Sequence, residues 1–167
     1  MARTSPEAEA KALKQQRLRA WQREERNAYL SNQREKDRRT VRLRGASSLM
    51  SNTKWRLVLS TLREADLDIR QIRVKFIDVA QPAEMSIPSL SAPLDFVDAD
   101  GGPFPLVAIE WLEIDALAQL HNCRPARPHA QDLAEIGRRL DGTGKAFPIE
   151  DRPGAIRIVG HVGPTVA

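Results

Sequence analysis

Cysteine is almost absent: Cys123 stands alone among 167 residues, so the chain can close no internal disulfide and has no cysteine framework for zinc. Its stability must come from packing. Histidine is scarce too, with three residues, which leaves few groups able to act as a base near neutral pH. The longest apolar runs fall far short of the roughly 18 residues a membrane span needs, and the N-terminus lacks the apolar stretch of a secretory signal. The expected location is therefore the cytoplasm, with no membrane partner. Gly-x-Ser-x-Gly, His-Glu-x-x-His and Rossmann patterns do not occur. Gly142-Thr143-Gly144-Lys145 resembles a phosphate loop, yet Arg139 and Ala146 stand where that loop needs a glycine and a hydroxyl residue, so it reads as a helix stop. His121, Cys123 and His129 are of ligating types, but their spacing fits no standard site and a fourth ligand is missing. A loop is expected there. With no catalytic constellation, the expectation is a non-enzyme without a cofactor or metal.

What is present is a soluble-type composition, 41% apolar and 29% charged, enough for one core of ordinary size. The net charge of +4 hides an asymmetry. Residues 1–50 hold thirteen Lys and Arg against six Asp and Glu, whereas residues 51–167 hold thirteen against sixteen. A basic arm over residues 1–45 and a slightly acidic body over 46–167 are thus two electrostatically different regions. Ser5-Pro6-Glu7 looks like a helix start, and strong helix formers continue to about Leu43 without glycine or further proline. The apolar stripe of that helix is thin: Leu13, Ala20, Trp21, Ala28 and Tyr29 line up loosely, so most of it should be solvated.

After the break at Gly45-Ala46-Ser47-Ser48, either Ser51 or Asn52 can cap a second helix, in which Trp55, Val58, Leu59 and Leu62 follow helical spacing until about Asp66. Ile69 to Val79 predicts a first strand with Ile72, Val74 and Phe76 on one face. The proline-rich stretch 81–105 reads as a loop with at most a short edge strand near Leu94 to Val97, and His121 to His129 as another loop. Ala130 to Leu140 predicts a short helix. The last elements form a terminal hairpin around Pro153-Gly154.

Between those loops, Leu106 to Asp115 reads as a core strand with acids on both faces. Simple alternation puts Ile109, Trp111 and Glu113 on one face and Glu110 with Leu112 and Ile114 on the other. A carboxylate at Glu110 among apolar neighbours wants a cation or a helix start. The expected tether is to the helix start formed by Asn52, Lys54 and Trp55.

Asn52-Thr53-Lys54-Trp55 just after Leu49-Met50, Ile109-Glu110-Trp111-Leu112-Glu113-Ile114, and the closing Ile156-Arg157-Ile158-Val159-Gly160-His161 together resemble a bacterial family of unknown function, DUF6678. The likeness covers roughly residues 46–161. Val159-Gly160-His161 departs from the family's usual ending near Tyr-Gly-Tyr. The resemblance implies an α+β fold and brings no catalytic residues. It also implies a helical lead-in and a Met at the place of Met50, which leaves two readings of the 49 residues before Met50: a genuine arm, or a start placed too early.

The expected architecture is α+β: a long N-terminal helix, then two helices packed on a small, mainly antiparallel sheet with a C-terminal hairpin. Trp55, Val58, Leu59, Leu62, Val74, Phe76, Ile109, Leu112, Leu133, Ile136, Ile156 and Ile158 should form the core. The expected function is a protein-binding module of immunity type that takes another bacterial protein as partner, with Trp111, Glu113 and Asp115 as an outward recognition surface. The alternative is a nucleic-acid accessory role for the arm. There Arg17, Arg19, Arg23, Arg26, Arg34, Arg38, Arg39, Arg42 and Arg44 would contact phosphates beside Trp21 and Tyr29. Against it, Glu24, Glu25, Glu35 and Asp37 dilute the charge, and docking on the acidic body competes.

Overall fold

The computed structural model describes residues 6–92, 95–120 and 127–163, with side chains from residue 13. The long helix α1 spans Pro6–Leu43, the strand β1 Ser47–Ser48, and the helix α2 Asn52–Leu62. Strands β2 (Ile72–Phe76), β3 (Ala83–Met85), β4 (Phe96–Ala99), β5 (Gly102–Pro105), β6 (Ile109–Asp115), β7 (Leu117–Leu120) and β8 (Arg127–Ala130) follow. The helix α3 (Leu133–Gly142) precedes β9 (Ile149–Arg152), β10 (Ala155–Val159) and β11 (His161–Val162). This is an α+β fold. Its centre is a five-stranded, wholly antiparallel sheet in the order β3-β2-β6-β10-β9.

Alternation gives that sheet two chemically distinct faces. Ile72 and Val74, Leu112 and Ile114, and Ile156 and Ile158 point to one side, where Trp55, Val58, Leu59 and Leu62 of α2 and Ile136 and Leu140 of α3 cover them. All twelve residues expected in the core lie in this cluster, Phe76 and Leu133 at its half-buried margin. Ser51 caps α2, its side chain accepting from the Lys54 N–H at 3.2 Å. Asp132 does the same for α3, taking the Glu135 N–H at 3.0 Å. Each such cap satisfies a donor that the helix cannot pair internally.

Gly160 joins β10 to the helix layer. An added Cβ there would lie 2.2 Å from the Ile109 carbonyl oxygen and 2.9 Å from Cζ2 of Trp55. Only a glycine lets that backbone pass between the strand and the tryptophan. Its N–H donates to the Glu110 carbonyl at 2.7 Å, and its own carbonyl accepts from Leu49 N at 2.8 Å. The chain segments before α2 and after β10 are tied together here, and β1 and β11 add a two-residue ladder.

Several expectations change. α2 stops at Leu62, and a 3-10 turn covers Ala65–Leu67 before Asp68 takes a left-handed φ of 46°. The proline-rich loop contains β3 and a β4–β5 hairpin, its turn enabled by Gly102 at φ +103°. Leu94 of the expected edge strand lies outside the described residues, and β4 begins at Phe96. Of the loop expected from His121 to His129, residues 127–129 belong instead to β8, which pairs with β7; His121 and Cys123 lie outside the described residues. A 3-10 turn at Leu106–Ala108 delays the central strand to Ile109. The terminal hairpin β9–β10 turns where expected, with Gly154 at φ +73°.

α1 is one helix with two environments. Leu30 packs with Ala92 and Phe96, Asp37 and Val41 are buried, and the helix meets β5 and the Leu106–Ala108 turn. Residues 13–29, by contrast, are exposed throughout. The solvated arm thus ends near Leu30, well before residue 45, because the second half of α1 has a hairpin to rest on.

Candidate functional site: the outer face of the sheet

Opposite the helices, the same alternation turns Arg73, Glu113 and Arg157 outward. Each is a charge between two apolar residues, as in Ile72-Arg73-Val74, Leu112-Glu113-Ile114 and Ile156-Arg157-Ile158. Strand register aligns them. Glu84 stands opposite Arg73, Arg73 opposite Glu113, Glu113 opposite Arg157, and Arg157 opposite Glu150. A row of alternating sign therefore crosses all five strands, each unlike pair at the close spacing where cross-strand charges attract.

Glu113 is the hub. It is 2% exposed, a burial no carboxylate tolerates without partners. Arg73 holds one oxygen, and Nε and Nη2 of Arg157 hold the other, each at 2.7 Å. Arg152 approaches to 4.0 Å. Arg73 also donates to Asp115 at 2.7 Å. Burial works against the Arg73 charge, but the hydrogen bond to Asp115 and the fields of Asp115, Glu113 and Glu84 outweigh it and raise its pKa. Arg157 lies over the Trp111 ring, 3.9 Å from its centroid, a cation–π stack that fixes both side chains.

The expected recognition residues are thus present on one face but in different roles. Trp111 is half-buried beneath Arg157, Asp115 is bound to Arg73, and Glu113 is buried under Arg73 and Arg157 and neutralised by them. An exposed acidic patch does not form there, because register sets two arginines on the buried carboxylate.

Glu110 departs further from expectation. Lys75 pairs with Trp111 while Phe76 pairs with Ile109, so the register skips Glu110. This is a β-bulge, which re-aims the extra residue. Ile109 joins the apolar core, and the Glu110 carboxylate takes Lys75 Nζ at 3.0 Å. Lys54 does not meet it. The helix start is held instead by Asp95, which accepts from Asn52 Nδ2 at 2.6 Å and from Arg34. What links β6 to Trp55 is the Glu110 backbone, through Gly160.

Of the arm's arginines, Arg26 and Arg34 reach Asp98 and Asp95 of the body, and Arg42 reaches Glu35 at 3.0 Å. Arg17, Arg19, Arg23, Arg38 and Arg39 are exposed. Arg44 lines a cavity of about 90 Å³ with Glu110, His161 and Val41. His161 is 6% exposed and its Nε2 donates to the Val107 carbonyl at 2.8 Å; its buried Nδ1 has no partner among the described residues. In the sequence His161 stands out only as part of the closing motif, not as a buried polar group. His129 packs its Nε2 on the Asp68 carbonyl at 2.9 Å, a structural contact.

The fold and this charged face define an α+β protein with a helix-covered antiparallel sheet. The family of unknown function DUF6678 matches residues 38–165, and the chain belongs to that family. No curated protein and no solved structure matches the chain. Among the described residues, no helix is long and apolar enough to cross a membrane.

Proposed function

We propose that the protein is a non-enzymatic binding module of the bacterial cytoplasm, of immunity type, that docks another protein on the outer face of its five-stranded sheet. The observation that carries this reading is the Glu84-Arg73-Glu113-Arg157-Glu150 row with Arg157 stacked on Trp111. Arginine and tryptophan are the residue types that most often anchor interfaces. Here both are held before any partner arrives, which lowers the ordering cost of association. The alternating signs favour a partner strand or loop with the complementary alternation and disfavour one of uniform charge.

The test is capture of protein partners from the native host by the wild-type chain and by Arg157→Gln and Trp111→Ala variants whose far-ultraviolet circular dichroism matches the wild type. A partner held by the wild type and released by both variants supports the reading. A partner indifferent to both, or none recovered, overturns it. The second reading, nucleic-acid association, rests on Arg17, Arg19, Arg23, Arg38 and Arg39 being exposed along α1. It requires binding whose affinity falls with salt at a log–log slope of about −0.9 per phosphate contacted, and loss of that binding when those arginines become glutamine.

A further inference from the structure

Residues 13–29 of α1 form a helix whose every residue is exposed, including Leu13 at 51%, Leu18 at 53% and Trp21 at 55%. A helix takes most of its stability from packing an apolar face, and this stretch has none to pack against within the described residues. At 3.6 residues per turn, Leu13, Arg17, Ala20, Trp21, Glu24 and Ala28 fall in one stripe. Leu30, Asp37 and Val41, which face the body, centre roughly 130° round the helix from the middle of that stripe. The stripe is therefore open to a partner while α1 stays docked.

Its pattern is symmetric about the Ala20–Trp21 bond. Arg17 and Glu24 lie equally far on either side, and so do Leu13 and Ala28. We propose that two copies of the chain pair through this stripe as antiparallel helices centred on Ala20 and Trp21. In that register Arg17 meets Glu24 of the second copy and Glu24 meets Arg17 of the second copy. Leu13 rests on Ala28 and Trp21 on Ala20, so each large side chain faces a small one. An isologous contact of this kind closes on itself and makes a dimer rather than a filament. A parallel pair in register would set Arg17 on Arg17, Glu24 on Glu24 and Trp21 on Trp21. The charged residues inside the stripe thus select direction and register, as polar residues do within coiled coils.

Sedimentation of the full chain over a wide concentration range tests this. A reversible monomer–dimer equilibrium is expected. Arg17→Glu and Glu24→Arg singly should each weaken it about tenfold or more by setting like charges face to face, while the double variant restores it to within about threefold. Both sites are exposed, and unchanged circular dichroism confirms that the fold is intact. A chain that stays monomeric at every concentration overturns the inference, also where α1 then binds duplex DNA or a foreign protein. A dimer indifferent to Arg17→Glu, or a double variant no better than the singles, overturns it equally.

Discussion

The outer face of the sheet and the projecting half of α1 are both rich in arginine and glutamate, yet their charges do opposite things. On the sheet, five charges from five strands are brought into line by register, and the central one, Glu113, is buried between arginines. On the helix, Arg17, Arg19, Arg23, Glu24 and Glu25 are all exposed. Composition makes the arm look like the electrostatic part of the molecule. Burial moves the strong electrostatics to the sheet, because a charge pair gains most where water is excluded and loses most when one member is removed.

The largest expected effect follows from that difference. Glu113→Ala leaves Arg73 and Arg157 crowded with their shared acceptor gone and should destabilise the protein by about 3–5 kcal/mol in urea unfolding. A loss below about 1 kcal/mol would mean that the row is as solvated as the arm. Asp37, on the docked half of α1, runs the other way. Burial, partly offset by hydrogen bonding from Gln33, holds its carboxyl above the usual carboxylate range. A carboxyl with a raised folded pKa binds more protons folded than unfolded, so its contribution falls as pH rises from the ordinary value near about 4 through the raised one. Asp37→Asn keeps an acceptor for Gln33 and should gain about 1–2 kcal/mol at neutral pH. That gain should vanish in acid, where both states are protonated, and a gain that persists there would assign the effect to something other than charge. Arg34→Gln, at the seam between the regions, removes an ion pair that is about one-third exposed on each side. Asn52 still donates to Asp95, so the loss should be only about 0.5–1 kcal/mol. Faster amide hydrogen exchange over residues 30–43 would report the loosened seam.

How much of this was legible in the sequence depends on whether a feature is local. Ser51 as a cap, the spacing of Trp55, Val58, Leu59 and Leu62, and the turn at Pro153-Gly154 are properties of one segment, and they were readable. The bulge at Glu110 belongs to a pair of strands: it exists because Phe76 stands opposite Ile109 and Lys75 opposite Trp111. One segment alone gives plain alternation, which sends Glu110 inward and Ile109 outward. The β1–β11 ladder joins Ser47-Ser48 to His161-Val162, two short pieces with no pattern of their own. The charged row did leave a trace, since Arg73, Glu113 and Arg157 each sit singly between apolar neighbours in three different strands. Opposite signs in that shared setting are the signal that could have paired them before any register was known.

The smallest effect belongs to the arm. Arg19→Gln and Arg23→Gln remove charges that lie off the Leu13-Arg17-Ala20-Trp21-Glu24-Ala28 stripe and are exposed. Each should change unfolding stability by no more than about 0.5 kcal/mol. The pair should add without coupling to Glu113→Ala, because among the described residues no ion pair or hydrogen bond joins them to the sheet's outer face. Urea titrations of the single, double and triple variants measure this directly. A coupling between the arm and Glu113 above about 0.5 kcal/mol would show that the basic helix shares the electrostatics of the buried row, and the separation between the two regions would fail.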